Sequence, residues 1–419
     1  MKRKLFWTYL VDSYERDLSG ITWWVNESGF HRGDKVCLLP TKEINLKFFF
    51  RHRPDVIVWN YARNNNIKLI KLAKLLNTYN IIHDTEGIHY TNETYFKIDN
   101  IYLKYIDEVW CWGVDQANYL KSKYKNLKIK PSFKNTGSIR YEYIKTLEKV
   151  NIKRNIGKLL WNTNYPTLNP RFQSVFKEYK EQFQLHKYQN EEKTLNFFLK
   201  LSAKRQSAYE SIKSVMNNIE DVELKIRPHP FESEDFYINS EINKSNKMKI
   251  SRGKDINEDL DKVSLVIQNG CQSVIESFLR GIPSIRTDSE EINIWSKVTP
   301  LDSYKNLVLK INDLKFLELI LKRQVELFKK YKVEKYLNNL YKALNINKKT
   351  SIKNNNLGFF DIIFLIKCKF KMILKELFFK QKITESKIEK LSTLDIKKFL
   401  KKKYKFKNTH EKLCILNPK

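Results

Sequence analysis

Cysteine, proline and glycine are all scarce in this 419-residue sequence, which contains 5, 10 and 11 of them respectively. Five cysteines, an odd and small number for this length, argue against a secreted fold held together by disulfides. The low glycine and proline content excludes collagen-like, elastic and low-complexity architectures. Hydrophobic residues at 42% and aromatic residues at 13% are sufficient for buried cores, so the sequence predicts a folded chain of two or three domains.

Acidic residues are outnumbered, since 47 aspartates and glutamates accompany 78 lysines and arginines, giving a formal net charge of +31. The excess is concentrated in residues 345–419, which contain 20 lysines and 6 acidic residues. Basic residues interleaved with aromatic ones, as in 401–407, occur in nucleic-acid-binding proteins, but no recognised binding motif accompanies them. We therefore expect no nucleic-acid partner, and part of the lysine excess lies on solvated surfaces.

Long uninterrupted hydrophobic runs are also absent. The most apolar stretch, 359–379, is interrupted by Asp361 and four lysines, whereas a membrane-spanning helix needs about 20 mostly apolar residues. Its basic, amphipathic character predicts a contact with an anionic membrane surface; the alternative is a set of closing helices packed on the domains. The apolar run at 5–11 fits neither a signal peptide nor a membrane span and predicts a buried first strand.

Short apolar runs alternate with segments of helical spacing over the first 300 residues. The predicted strands are 5–11, 35–40, 55–59, 81–82, 105–113, 158–161, 222–226, 264–267 and 282–286. The predicted helices are 67–76, 114–124, 172–218 and 271–280. This alternation predicts an α/β fold with two Rossmann-like, doubly wound domains facing a cleft. We place the domains at 1–148 and 149–312, followed by a helical, basic C-terminal extension at 313–419.

The segment Arg227-Pro228-His229-Pro230 directly follows the predicted strand 222–226. The two prolines restrict the backbone on both sides of His229 and so hold its imidazole in one direction. An arginine and a histidine together suit a phosphate group, to which arginine donates bidentate hydrogen bonds. The motif therefore predicts a phosphate site, and the alternative is a rigid surface turn with a solvated His229.

A second strand-to-helix turn has the sequence Asn269-Gly-Cys-Gln-Ser-Val-Ile-Glu276. Small residues at the start of a helix leave backbone N–H groups available to an anion. Gln272 or Ser273 would cap the helix or contact the phosphate, and Glu276 would accept hydrogen bonds from ribose hydroxyls. An ordinary capped helix has the same pattern, so this turn gains specificity only in combination with the Arg227 motif.

These two motifs, with the continuation to Pro283, resemble the donor half of GT-B glycosyltransferases. The sequence looks most like bacterial surface-carbohydrate proteins of capsule and O-antigen biosynthesis. It is also distantly similar to capsule Kdo transferases and CDP-glycerol glycerophosphotransferases. The N-terminal features that agree with this resemblance are Glu15–Asp17, Asp84–Gly87, Trp112-Gly113 and Thr136–Arg140.

The resemblance implies that the second domain binds a nucleotide-activated donor, with CMP- and CDP-linked donors as candidates, and that the enzyme works without a bound metal or other cofactor. Arg227 and His229 would approach the donor phosphates, and His229 is also a catalytic candidate. The other implied donor contacts are Asn162, Thr163, Asn164, Asn269, Gly270, Cys271, Gln272, Ser273 and Glu276. Related chains often have two serines at Cys271–Ser273, so the side-chain contacts differ there.

Two carboxylates one residue apart, Asp84 and Glu86, follow a predicted strand. Such a pair suits the deprotonation of an acceptor hydroxyl or, in a reaction that retains stereochemistry, attack on the anomeric carbon. The alternative is that Asp84 caps the following segment. Glu15 and Asp17 form a second pair, with Arg16 as a clamp for an anionic acceptor.

The expected function is transfer of a sugar or sugar acid from a nucleotide-activated donor to a glycan or lipid-linked acceptor. We expect this activity in surface-polysaccharide assembly, in the cytoplasm or at the inner face of the cytoplasmic membrane. A nucleotide-sugar epimerase or hydrolase of the same fold is the first alternative. A basic nucleic-acid-binding protein is the weaker one.

Overall fold

The structure, a computed structural model, describes residues 4–27, 34–63, 65–85, 87, 100–185, 190–240, 247–252, 255–268, 270–286, 294–302, 310–331, 333, 359–378, 404–410 and 413–418. The described residues form two compact units. Unit 1 comprises those within Met1–Tyr143 and Glu334–Lys419, and unit 2 those within Ile144–Val333. The predicted C-terminal extension is thus divided between the two units.

Each unit is built on one β-sheet. The strands are β1 Phe6–Val11, β2 Lys35–Pro40, β3 Val56–Trp59, β4 Tyr79–Ile82, β5 Glu108–Cys111, β6 Ser132–Asn135, β7 Lys158–Asn162, β8 Glu223–Arg227, β9 Met248–Ile250, β10 Leu265–Gln268, β11 Ser284–Ile285, β12 Tyr404–His410 and β13 Leu413–Pro418. Unit 1 has the strand order β12-β13-β2-β1-β3-β4-β5-β6, and unit 2 has β11-β10-β7-β8-β9. Strands β1 to β6 run parallel, as do all five strands of unit 2.

Helices follow most of the parallel strands and cover the sheets. They are α1 Tyr14–Glu27, α2 Leu46–His52, α3 Ile67–Leu75, α4 Asn100–Leu103, α5 Val114–Lys123, α6 Ile139–Lys145, α7 Val175–Leu185, α8 Glu191–Asn218, α9 Asp235–Ile238, α10 Ile256–Leu260, α11 Ser273–Leu279, α12 Ile294–Lys297, α13 Leu314–Lys330 and α14 Phe359–Phe378. Side-chain oxygens of Asn45, Asn190 and Asp313 cap α2, α8 and α13. These caps satisfy backbone donors that the first turn of a helix leaves unpaired.

Apolar cores lie on both faces of the unit 1 sheet. One contains Ile57, Trp59 and Val109, and the other contains Val58 and Trp110. Alternate residues of the same strand therefore enter opposite cores, which is why these strands are nearly continuous runs of hydrophobic residues. The unit 2 sheet likewise contributes to two clusters. The predicted fold class, two Rossmann-like parallel α/β domains, is confirmed.

The C-terminal segment differs from the helical structure that we predicted for 313–419. Helices α13 and α14 are present, but β12 and β13 form an antiparallel hairpin whose second strand pairs with β2. The hairpin covers the edge of the parallel sheet, a position at which unpaired strands are prone to association. Within the described part of the chain, no helix combines the length and apolar character that crossing a bilayer requires.

Candidate functional site

The predicted donor residues of unit 2 lie at the carboxyl ends of neighbouring strands. Asn162, the last residue of β7, is in register with Arg227 at the end of β8 and with Gln268 at the end of β10. Three strand ends thus meet at one edge of the sheet. In doubly wound sheets, ligands bind in the crevice beyond this edge.

Asn162 links two of these strand ends. Its Nδ2 donates to Oγ of Ser273, the first residue of α11, at 2.9 Å. Both side chains are buried, and Asn162 Oδ1 has no hydrogen-bond partner among the described residues. A buried carbonyl oxygen without a partner is costly, so this atom is suited to accept a hydrogen bond from a ligand.

Glu232 organises the loop after β8, although the sequence analysis did not select it. Its fully buried carboxylate accepts from Thr163 Oγ1 at 2.7 Å, Tyr237 Oη at 2.6 Å, and the backbone N–H groups of Tyr165 at 3.1 Å and His229 at 3.3 Å. Burial raises the pKa of the carboxyl, and these hydrogen bonds act in the opposite direction. One buried side chain thus fixes the loops that carry Thr163 and His229.

His229 is half-buried, and its ring is oriented by its own loop. The backbone N–H of Phe231 donates to Nδ1 at 3.2 Å, and Arg252 donates to the His229 carbonyl oxygen at 3.2 Å. A neutral imidazole whose Nδ1 accepts a hydrogen bond carries its proton on Nε2. The proton of the neutral His229 ring is therefore on Nε2, and a ring N–H is the kind of donor that a phosphate oxygen requires.

Arg227 belongs to a buried ionic network. Its Nη1 donates to Asp259 Oδ2 at 2.7 Å, and the same carboxylate accepts from Ser251 Oγ at 2.6 Å and pairs with Lys225 Nζ at 3.0 Å. One side of the guanidinium is thus committed to Asp259. Direct binding of a phosphate by Arg227 stays a prediction.

The second predicted motif is found at the start of α11. Gly270 has a φ of 70°, a left-handed conformation that glycine adopts without strain, and Gln268 Oε1 accepts from the Cys271 N–H at 3.0 Å. Cys271 and Gln272 are half-buried, and Glu276 is buried in the first turn. Asn164 is half-buried after β7, and Asn269 lies outside the described residues.

A polar cluster also occupies the carboxyl ends of the strands in unit 1. His83, directly after β4, donates from Nε2 to the Gly137 carbonyl oxygen at 3.2 Å, so its Nδ1 accepts from Tyr9 Oη at 2.7 Å. Burial lowers the pKa of His83 to about 4, while the Gly137 hydrogen bond and the charge of Asp17 act in the opposite direction. His83 is therefore a neutral bridge that links β1 to the segments that follow β4 and β6.

The predicted acceptor residues of α1 are only partly brought together. Arg16 Nε donates to Asp17 Oδ1 at 2.8 Å, and its Nη2 donates to Asp12 Oδ2 at 3.1 Å. Burial raises the pKa of Asp12, although Arg16 opposes the shift. Two carboxylates already surround the Arg16 guanidinium, which disfavours its predicted role as an anion clamp. Glu15 is buried on the same helix.

Asp84 lies two residues after the end of β4 and is buried. Trp112 Nε1 donates to its carbonyl oxygen at 2.8 Å, and a Cβ at Gly87 would approach the Trp112 ring to 2.5 Å. Burial, followed by the charge of Asp12 and a smaller contribution from Asp84, raises the pKa of Tyr61. Asp84 thus shares this strand edge with a tyrosine, whereas Glu86 lies outside the described residues.

The buried His83 predicts a pH dependence of stability. Its pKa in the folded chain is about 4, below the ordinary value of 6.5, so the unfolded chain binds the proton first. Stability is then fully present above pH 6.5 and falls by about 1.4 kcal/mol per pH unit down to about pH 4. Urea unfolding of His83→Gln should lack this component, whereas Tyr9→Phe should keep it. Equal pH slopes in His83→Gln and the parent would contradict the assignment.

Several residues of these clusters have no local sequence signature. Tyr9, Asp259 and Arg252 reach their partners through the tertiary fold, whereas Asp12, His83 and Glu232 lie beside predicted motifs, and Asp12 pairs with Arg16 only four residues away. Among the described residues, no group of three histidine, cysteine, aspartate or glutamate side chains is arranged to hold a metal ion.

No family model and no curated protein sequence matches this chain. Among solved structures, MnaA of S. aureus with UDP matches with a TM-score of 0.48 and 11% identity, over 81% of this chain and 98% of that one. UDP-GlcNAc 2-epimerase from Neisseria meningitidis bound to UDP-GlcNAc matches at 0.45 and 10%, over 80% and 100%. An alpha-glucosyltransferase in complex with UDP-glucose and DNA matches at 0.37 and 12%, over 89% and 100%. Because these TM-scores are below 0.5, the similarities assign neither an activity nor a substrate to the chain.

Proposed function

We propose that this protein is a glycosyltransferase that uses a nucleotide-activated sugar or sugar acid. The acceptor is a glycan or a lipid-linked glycan in surface-polysaccharide assembly. The observation that carries the proposal is the strand edge of unit 2, where the loop after β8 orients the His229 ring with its proton on Nε2 and the buried Asn162 ends the neighbouring strand β7. The resemblance of the Arg227 and Asn269 motifs to the donor half of GT-B glycosyltransferases agrees with it.

In this proposal, the strand edge of unit 2 binds the nucleoside diphosphate or nucleoside monophosphate part of the donor. His229 donates to a phosphate oxygen, and Asn162 Oδ1 accepts from a donor hydroxyl or base N–H. The Glu232 carboxylate holds the His229 and Thr163 loops in place before the ligand arrives. A site whose groups are already oriented loses less conformational entropy on binding, and this favours affinity.

Asp84 is the proposed general base for the acceptor hydroxyl. Its position in a buried cluster excludes water, which strengthens the electrostatic interactions of the carboxylate. The neutral His83 bridge and the Trp112 hydrogen bond fix the backbone on both sides of Asp84. Asp84→Asn should therefore abolish transfer while the protein still binds nucleotide.

A nucleotide panel tests the donor site. We expect one of UDP, CDP, CMP, GDP and ADP to raise the melting temperature, because ligand at 100 times its Kd stabilises a folded protein by about 2.7 kcal/mol. A response to cytidine nucleotides would favour a Kdo-like or glycerol-like donor. Inorganic phosphate at the same ionic strength is the control. A panel in which no nucleotide exceeds phosphate would contradict the proposal.

Turnover distinguishes a transferase from the alternative chemistry. Incubation of the protein with the nucleotide sugar that binds, without an acceptor, should leave the donor intact. Release of free sugar or a change of sugar configuration under these conditions would instead identify a hydrolase or an epimerase. The Asp84→Asn variant controls for contaminating activities in either case.

A further inference from the structure

Helix α14 has two different apolar sides. Phe364, Leu365 and Cys368 pack against the core of unit 1, and Lys71 lies 4.7 Å above the Phe364 ring. Ile366 and Phe370, one helical turn apart, are 63% and 60% exposed. Since its inner side already anchors the helix, the outer pair is not needed to hold α14 in place.

Lysines surround the exposed pair. Lys367, Lys369 and Lys371 are all exposed on the same stretch of α14. At about 100° per residue, Lys367 and Lys369 fall on opposite sides of the stripe formed by Ile366 and Phe370. This is the arrangement of a helix that lies in a membrane interface, with its apolar stripe among the lipids and its lysines extending to the headgroups.

The helices that pack against α14 are also rich in basic residues. α14 contacts α2 and α3, whose sequences contain five basic residues and no acidic ones. Lys47, Arg51 and Lys68 of these helices are exposed. A protein partner would match an apolar stripe with an apolar groove, whereas an anionic bilayer offers both apolar depth and a continuous negative surface.

We propose that the outer side of α14 binds an anionic lipid bilayer. The surface consists of Ile366 and Phe370 with the flanking Lys367 and Lys369, and the exposed Lys371 lies at its margin. The helix remains packed on unit 1 and inserts only this outer stripe, so the contact is shallow and reversible. The proposal does not depend on the nucleotide site.

Vesicle co-sedimentation of the full chain tests the lipid surface. We expect binding to vesicles of equal phosphatidylglycerol and phosphatidylcholine, and much weaker binding to phosphatidylcholine alone. The triple variant Lys367→Glu, Lys369→Glu, Lys371→Glu should bind anionic vesicles at least tenfold more weakly, because each lysine near the surface contributes about fivefold. Ile366→Ser with Phe370→Ser should also weaken binding, with less dependence on salt.

The matched control is Lys121→Glu, Lys125→Glu, Lys128→Glu, which changes the net charge equally at exposed positions elsewhere in unit 1. It should retain most of the binding. Equal losses in both triple variants, or equal binding to neutral vesicles, would overturn the proposal. The proposal would also be overturned if the α14 variants bound vesicles as the parent does but lost binding to duplex DNA or lost dimerisation. Circular dichroism confirms that each variant is folded.

Discussion

Replacing Asp259 by asparagine is expected to lower the free energy of unfolding of unit 2 by about 3–5 kcal/mol, the cost of breaking a buried ion pair. The Asp259 side chain is 2% exposed and pairs with Arg227, itself 8% exposed. It also accepts from Ser251 and pairs with Lys225. Asparagine keeps the shape but leaves the Arg227 guanidinium buried without its counter-charge.

The pKa of Asp259 predicts how the loss of stability in Asp259→Asn changes with pH. Burial alone would raise the pKa of Asp259, but Arg227, Ser251 and Lys225 outweigh it, so the pKa lies below the ordinary value of 3.8. The ionised carboxylate therefore stabilises the folded chain above about pH 4. This contribution is lost as the pH falls through the lowered pKa. The difference between parent and variant should accordingly shrink in acid.

Urea unfolding followed at pH 7 and at pH 3 measures both effects. Glu181→Gln is the matched control, because it also removes one carboxylate charge of unit 2 but from a half-exposed pair with Lys177. Such pairs contribute about 0–1 kcal/mol. If Asp259→Asn costs no more than the control at pH 7, the ionic network around Arg227 does not stabilise unit 2.

The strands that carry the site could be predicted because burial on both faces leaves a strong signature. β1, β7 and β10 are mostly apolar runs, each followed by a polar turn, whereas in β8 the apolar Leu224 and Ile226 alternate with charged residues. The resemblance implied that Asn162 and Arg227 both contact the donor, and the parallel register of β7 and β8 places them side by side at one edge. Residues beside a strand end are positioned by the strand itself, so local sequence is sufficient to find them.

The partners of those residues could not be predicted in the same way. Asp259 reaches Arg227 from α10, a helix whose placement depends on tertiary packing. The C-terminal hairpin did leave a signal, since Tyr404 and Phe406 alternate with Lys405 and Lys407. A period of two indicates a strand, but the high lysine content favoured a basic helix in our interpretation. Its pairing with β2, hundreds of residues earlier, has no local signature.

His229→Ala is expected to weaken binding of the nucleotide donor about 10- to 100-fold, because a hydrogen bond to a charged group contributes about 1.5–3 kcal/mol. The structural reason lies in the two ring nitrogens. Nδ1 is occupied by the Phe231 N–H, so Nε2 is the nitrogen that can donate to a phosphate. The loss should appear in the affinity for the nucleotide alone, which titration calorimetry measures directly.

Two substitutions at His229 distinguish donation from Nε2 from donation from Nδ1. Glutamine places its amide N–H near the position of Nε2, whereas asparagine places it near Nδ1. If Nε2 is the donor, His229→Gln should retain more affinity than His229→Asn. His52→Ala, which removes an exposed histidine of unit 1, is the control for general effects of histidine loss. Unchanged affinity in all three His229 variants would remove His229 from the donor site, and the order Asn above Gln would assign contact to the Nδ1 side.

Because Glu232 holds the same loop through the His229 backbone N–H, Glu232→Gln should weaken affinity even though the imidazole is intact.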